Sequence, residues 1–255
     1  MLLFLFIVAA VAGAMNSVAG GGSFLTLPAL LFAGTAPIVA NATSTVGLWP
    51  GSLSSMIAYR RELAATPKKW LLLLSAVSMA GGFAGAVLLV RTSDTSFMRL
   101  LPWLMLVAAV TFTFGERLRR ALPARPASPG HRALHAHPAS MILVSVLQFV
   151  LSIYGGYFGG GMGFMMLAAF SLAGMVHIHQ MNALKTLLGV GINGLALLTF
   201  VVSGTVAWRF AGVMIAGSIL GGYGGAALAR TIDPKGIRVL VIVIGWTMTI
   251  YFFVR

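Results

Sequence analysis

Long apolar blocks fill this chain, and short polar or glycine-rich breaks separate them. The first block runs from Leu2 to Val18 and stops at Gly20-Gly21-Gly22. A short apolar piece follows, Phe24 to Ala33, with Pro28 inside it. Ile38 to Tyr59 comes next and ends at Arg60-Arg61-Glu62. Lys68-Lys69-Trp70 opens a block that reaches Val90, and Phe97 to Phe114 is the fifth. At about 1.5 Å rise per residue, several of these blocks suffice for a hydrocarbon core of about 30 Å. The start lacks the positive region of a secretory signal, so Leu2 to Val18 is expected to stay as a helix.

After Phe114 the pattern changes. Glu116 to Pro138 holds five arginines, three histidines and four prolines, and is expected to be an irregular cytoplasmic linker. Beyond it the order repeats. Ala139 to Ile153 is apolar, Gly155-Gly156 and Gly159-Gly160-Gly161 break it, and Phe164 to Ala173 is short and apolar. Asn182 to Val202, Trp208 to Ala229 and Ile237 to Val254 complete the set.

Four features recur at nearly one offset. Arg91-Thr92-Ser93-Asp94 with Arg99 matches Arg230-Thr231-Ile232-Asp233 with Arg238, 139 residues on. Gly20-Gly21-Gly22 matches Gly159-Gly160-Gly161 at 139, Gly81-Gly82 matches Gly221-Gly222 at 140, and Asn41 matches Asn182 at 141. The expected fold is therefore an all-α integral membrane protein with two repeats of about five helical elements. Residues 1–115 form the first, 116–138 the linker and 139–255 the second. Five elements per half invert the second repeat, and four per half leave it parallel. The positive loops around 60–69, 116–138 and 230–238 share one side only in the inverted case, which the positive-inside rule favours.

Composition agrees with a membrane setting. Hydrophobic residues make up 59% and charged residues 8%, against about 25% charged in soluble domains. Mean hydropathy is +0.97. The net charge of +13 sits mostly at block ends, not in a basic stripe, so a nucleic-acid partner is not expected. The absence of cysteine excludes disulfides, thiolate metal sites and cysteine nucleophiles.

Candidate chemistry follows from the breaks. A helix that starts inside the membrane carries free N–H groups and a positive dipole end, which together attract anions. Irregular backbone at that depth is tolerated only against protein or a water-filled cavity. Gly20, Gly21, Gly22 and Ser23 are candidates, with Gly159, Gly160, Gly161 and Gly163 as their counterparts. Close helix packing is the competing reading for all of these glycines. It is the expected one for Gly81, Gly82, Gly85, Gly221, Gly222 and Gly225.

Asn16, Asn41, Thr43, Asn182 and Thr186 add polar donors, although Asn41 and Asn182 could instead cap helices. Gln148 and Asn193 could merely bridge helices. Lys185 is a cation within an apolar block, so it is either a functional charge or a snorkelling one. All four acids, Glu62, Asp94, Glu116 and Asp233, lie at block ends. Asp94 and Asp233 are expected to pair with Arg91 and Arg230 or to cap the next helix. The lack of buried acid argues against a cation pathway. His177 and His179 are spaced wrongly for one helix face, so no metal site is expected. No enzyme motif and no cofactor fingerprint is present, so the chain is not expected to be an enzyme.

The residues from Ala14 to Pro28, AMNSVAGGGSFLTLP, resemble the opening motif of the sulfite exporter TauE/SafE family, also called toluene sulfonate uptake permeases. Pro37 with Ala40 to Ser44, the second glycine break, Asn182 to Thr186 with Asn193, and Gly204-x-Val206-x-Trp208 resemble further parts of it. The resemblance implies a multi-pass bacterial inner-membrane secondary transporter of a small sulfur-containing anion such as sulfite or sulfoacetate, working by alternating access. A passive anion channel and a non-transporting scaffold are the alternatives, and a homodimer is an open possibility.

Overall fold

The computed structural model describes residues 1–18, 21–64, 66–121, 138–172, 175, 177–228 and 234–254. Among these are eleven helices and no strand. They are α1 Leu2–Val18, α2 Ser23–Phe32, α3 Pro37–Ala58, α4 Arg60–Ala64, α5 Lys68–Arg91, α6 Asp94–Ala121, α7 Pro138–Tyr157, α8 Met162–Leu172, α9 Ile178–Val202, α10 Trp208–Leu228 and α11 Pro234–Val254. By length and composition, residues 68–91, 94–115 and 178–202 are each sufficient to cross a membrane. Large apolar side chains such as Leu72, Phe83, Trp103 and Leu220 point outward.

Three expectations change. The one-turn helix α4 adds an element at Arg60–Ala64. Helix α6 runs on to Ala121, into the stretch expected to be irregular from Glu116. Its last turns, Glu116 to Ala121, consist of good helix formers, and Pro123 lies just beyond. Gly155-Gly156 does not break α7, which continues to Tyr157. A Cβ at Gly156 would collide with the Gly82 carbonyl, so this glycine serves contact between α7 and α5. Residues 122–137 of the expected linker, and Asp233 with Arg230, lie outside the described residues.

Glycine-lined contacts hold two helix pairs at close range. A Cβ at Gly81 would lie 2.7 Å from the Phe149 carbonyl, and one at Gly85 would strike the Ile153 carbonyl, so α5 and α7 run parallel. Gly217 and Gly221 meet Phe6 and Ala10 in the same way, joining α10 to α1. Gln148 is fully buried between α5 and α7 and donates to Ser78 at 2.8 Å.

Other pairs run antiparallel. Trp103 packs edge-on against Phe253 with ring centroids 5.1 Å apart, a Cβ at Gly245 would touch Ala109, and Trp246 donates to Thr113 at 3.0 Å. Those contacts order α6 against α11 in opposite directions. The same holds for α3 and α9. Trp49 donates to the Val190 carbonyl at 3.0 Å and lies against Gly194, while beyond the C-terminal end of α3 Thr66 accepts from Gln180, in the first turn of α9. The core between the helices is mainly aliphatic and includes the fully buried rings of Phe24, Phe97, Phe112, Phe158 and Phe200.

A candidate anion cavity

The chain turns sharply before each of the short helices α2 and α8. Gly21 has φ +88° and Gly161 has φ +76°, a region that side chains rarely adopt. At both positions the surroundings also exclude a Cβ. It would lie 2.8 Å from the Phe112 ring at Gly21 and 2.7 Å from the Ala108 Cβ at Gly161. Asn16 secures the first turn by accepting from the Gly22 N–H at 2.8 Å. Tyr154 secures the second by donating to the Gly160 carbonyl at 2.8 Å.

Between the two turns lies a cavity of about 180 Å³. That is many times the roughly 10–15 Å³ that admits one water. One wall is α9, which presents Asn182, Lys185, Thr186, Gly189, Val190 and Asn193. Their spacing of three and four residues is one helical stripe. Opposite it, α3 contributes Thr45, Leu48, Trp49 and Ser52, with Tyr59 beyond its end. Asn16, Gly21 and Ser23 come from the first turn, and Gly159, Gly161, Met162, Gly163 and Phe164 from the second. Phe112 closes the lining, tilted by 47° against Phe164 with ring centroids 4.2 Å apart.

The polar groups here are mostly spare donors. The hydroxyls of Thr45, Ser52 and Thr186 are used up on carbonyls one turn back. Among the described residues, however, the side chains of Ser23, Asn182, Lys185 and Asn193 have no hydrogen-bond partner, and the Asn16 amide N–H₂ is also unused. The Lys185 chain lies across the start of α8, where a Cβ at Gly163 would come within 3.1 Å of its Cδ. It therefore holds an ammonium near the positive end of a helix dipole. Among the described residues no carboxylate lines the cavity. Two like-signed features face each other here, and an anion between them relieves the repulsion.

The expected site residues divide sharply. Asn16, Gly21, Ser23, Gly159, Gly161, Asn182, Lys185 and Thr186 meet at the cavity. Gly20 lies outside the described residues. Gly22 and Gly160 shape the turns without lining the cavity. Asn41 and Thr43 are directed elsewhere. Asn41 is buried and donates to the Tyr157 carbonyl at 2.9 Å, and the Thr43 hydroxyl accepts from the Ala207 N–H at 3.0 Å. Asp94 pairs with no arginine among the described residues. Its carboxylate instead accepts from the Ile38 N–H at 2.9 Å, capping α3 rather than its own helix.

Sequence reasoning missed Thr45, Trp49, Phe112 and Phe164. A signal existed for the first. At the offset that pairs Asn41 with Asn182, the partner of Thr186 is Thr45, not Thr43. For the aromatic residues no signal existed, since one more Phe in an apolar block looks like core.

Comparison with known proteins places the chain in context. The family model described as sulfite exporter TauE/SafE matches residues 5–252. A "Probable membrane transporter protein" of Haemophilus influenzae is 29% identical over 251 residues, covering 98% of this chain and 93% of that protein. The "Probable membrane transporter protein YfcA" of Escherichia coli K12 is 30% identical over 247 residues, covering 96% and 87%. A third, "Probable membrane transporter protein ORF9" of a Sinorhizobium species, is 29% identical over 251 residues, covering 98% and 91%. No solved structure matches.

Proposed function

The chain belongs to the sulfite exporter TauE/SafE family of multi-pass membrane transporters, and from that premise we propose that it carries a small sulfur oxyanion or organosulfonate, such as sulfite or sulfoacetate, across the bacterial inner membrane. The observation that carries this reading is the cavity itself. Spare N–H and O–H donors and one ammonium converge there, and among the described residues no acid opposes them. A sulfonate or sulfite head offers several acceptor oxygens and at least one negative charge, which matches that donor set. Asn182, Lys185, Asn193, Asn16 and Ser23 would hold the head. Phe112, Phe164 and Trp49 would face what lies behind it.

Alternating access is the mechanism that fits the helix arrangement. Counterparts in the sequence repeat, α3 with α9 and α6 with α11, run antiparallel, as helices related by inversion do. The cavity lies between residues of the two halves, so rocking one against the other would move its opening from side to side. Arg60, Arg61, Lys68 and Lys69 sit at one end of the bundle, which the positive-inside rule assigns to the cytoplasm.

Purified protein should show a raised thermal midpoint with at least one of sulfite, sulfate, thiosulfate or a sulfonate, because a ligand bound to the native state stabilises it by mass action. Vesicles loaded with that anion should show saturable uptake and counterflow. Large non-saturating currents would instead favour a channel, and no midpoint shift with any of the four would sink the anion assignment.

A further inference from the structure

The two asparagines that match in the sequence repeat do opposite things, and the difference divides the molecule into a firmly tied end and a loosely tied end. At the end that holds the turns 33–37, 92–94 and 203–207, the two halves are tied across. Asn41 donates to the Tyr157 carbonyl, and the Ala207 N–H donates to Thr43. Tyr157 also reaches Thr92 through its hydroxyl at 3.4 Å, while within the first half Asp94 holds Ile38. Asn41 is 2% exposed and Thr43 is fully buried, so these ties are dry.

The mirror positions lie toward the end that holds residues 60–68. There Gln180 reaches Thr66 at 3.4 Å, but Asn182, the counterpart of Asn41, has no hydrogen-bond partner among the described residues and faces the cavity. The counterpart of the Thr43 tie is absent by composition. Leu184 stands where Thr43 does and has no hydroxyl. Pro67 stands where Ala207 does and has no N–H. Ala207 directly precedes α10 and Pro67 directly precedes α5, so the two sites match in the structure as well.

We infer that Asn41 and Asn182 are the alternating latches of the transport cycle, and that the structure is the state latched by Asn41 on the side away from Arg60–Lys69. This rests on the transport reading above. In the opposite state the Asn41 tie opens, and Asn182 leaves the cavity to donate to the carbonyl of residue 18, the counterpart of Tyr157. Asn182 thereby serves as an anion donor in one state and as a latch in the other. Of the ties at Asn41 and Thr43, only the first has a counterpart that the near side can form, so the resting population leans to the observed state. Trp49 and Val190 are themselves counterparts, 141 residues apart, and their hydrogen bond marks the point about which the swap is symmetric.

The chain lacks cysteine, so Ser52→Cys on the cavity wall provides a single reporter thiol. In sealed vesicles without any anion, a membrane-impermeant thiol reagent should reach it mainly from the Arg60–Lys69 side. Adding Asn41→Leu or Thr43→Val should raise labelling from the opposite side roughly 2- to 10-fold, the population change expected from losing one net hydrogen bond. Adding Asn182→Leu to the Asn41→Leu protein should bring that labelling back down, which general loosening of the fold would not do. Unchanged opposite-side labelling in the folded Thr43→Val and Asn41→Leu proteins overturns the latch, as does a further rise with Asn182→Leu. Since the reporter needs no anion, a failed substrate assignment leaves this measurement readable.

Discussion

The segment Asn41 to Trp49 and its counterpart Asn182 to Val190 form helices of the same kind, on opposite walls of one cavity. Their polar residues meet different fates. In the first, Asn41, Thr43 and Ser44 all have partners, Ser44 through a 2.6 Å hydrogen bond to Thr26. In the second, Asn182 and Lys185 have no partner among the described residues and line the cavity. Lys185 stands at the position equivalent to Ser44. A buried polar group left unmade costs about 1–3 kcal/mol. A protein keeps such groups where a ligand or water completes them. Duplicated helices thus keep their scaffold and both line the cavity, while the leading polar residues become structure in one copy and site in the other.

The largest effect is expected from putting the site's charge into the structural copy. Ser44→Lys would remove the Thr26 bond and bury an ammonium with no opposing charge, at a cost of several kcal/mol. Little folded protein should reach the membrane, as judged by monodisperse yield after detergent extraction. A normal yield would mean that the first segment has far more room than its burial implies.

The reverse change is next in size. Lys185→Met keeps length and removes charge. Anion affinity should fall roughly 10- to 100-fold, the range for losing a hydrogen bond to a charged partner. Stability without anion should hold or rise, because an uncompensated charge has gone. Titration of the anion followed by thermal shift reads both. Unchanged affinity would remove Lys185 from the site.

Asn182→Ala should have the smallest effect. It removes a donor that touches only the cavity, so anion affinity should fall about 2- to 10-fold, with the anion-free thermal midpoint nearly unmoved. A large loss of midpoint without anion would show that Asn182 has a structural partner after all, and the contrast with Asn41 would weaken.

Much of the fold was legible because its cause is local. Helices follow from apolar length and composition, and the turns at Gly21 and Gly161 follow from glycine's access to positive φ. Gly155 and Gly156 were misread as a break because close contact and chain reversal use the same residue. Only the approach of α5 at Gly156, and of Met162 and Ile192 at Gly155, separates the two, and that depends on how the helices pack. The site was half legible. Asn16, Ser23, Asn182 and Lys185 stood out as polar groups in apolar surroundings. Phe112 and Phe164 did not, since nothing in an apolar block marks which ring faces a cavity.

The paired glycine breaks, the helical elements, the repeat of residues 41–49 at 182–190 and the basic balance were determined by the sequence alone, because periodicity, backbone freedom and charge act within a few residues. Which asparagine bonds across the halves and which faces the cavity was decided only by tertiary structure. Asn41 and Asn182 are chemically identical and sit in similar sequence. The Tyr157 carbonyl that satisfies Asn41 is 116 residues away in the chain. A hydrogen bond depends on where its partner arrives, and that is a property of the packed helices.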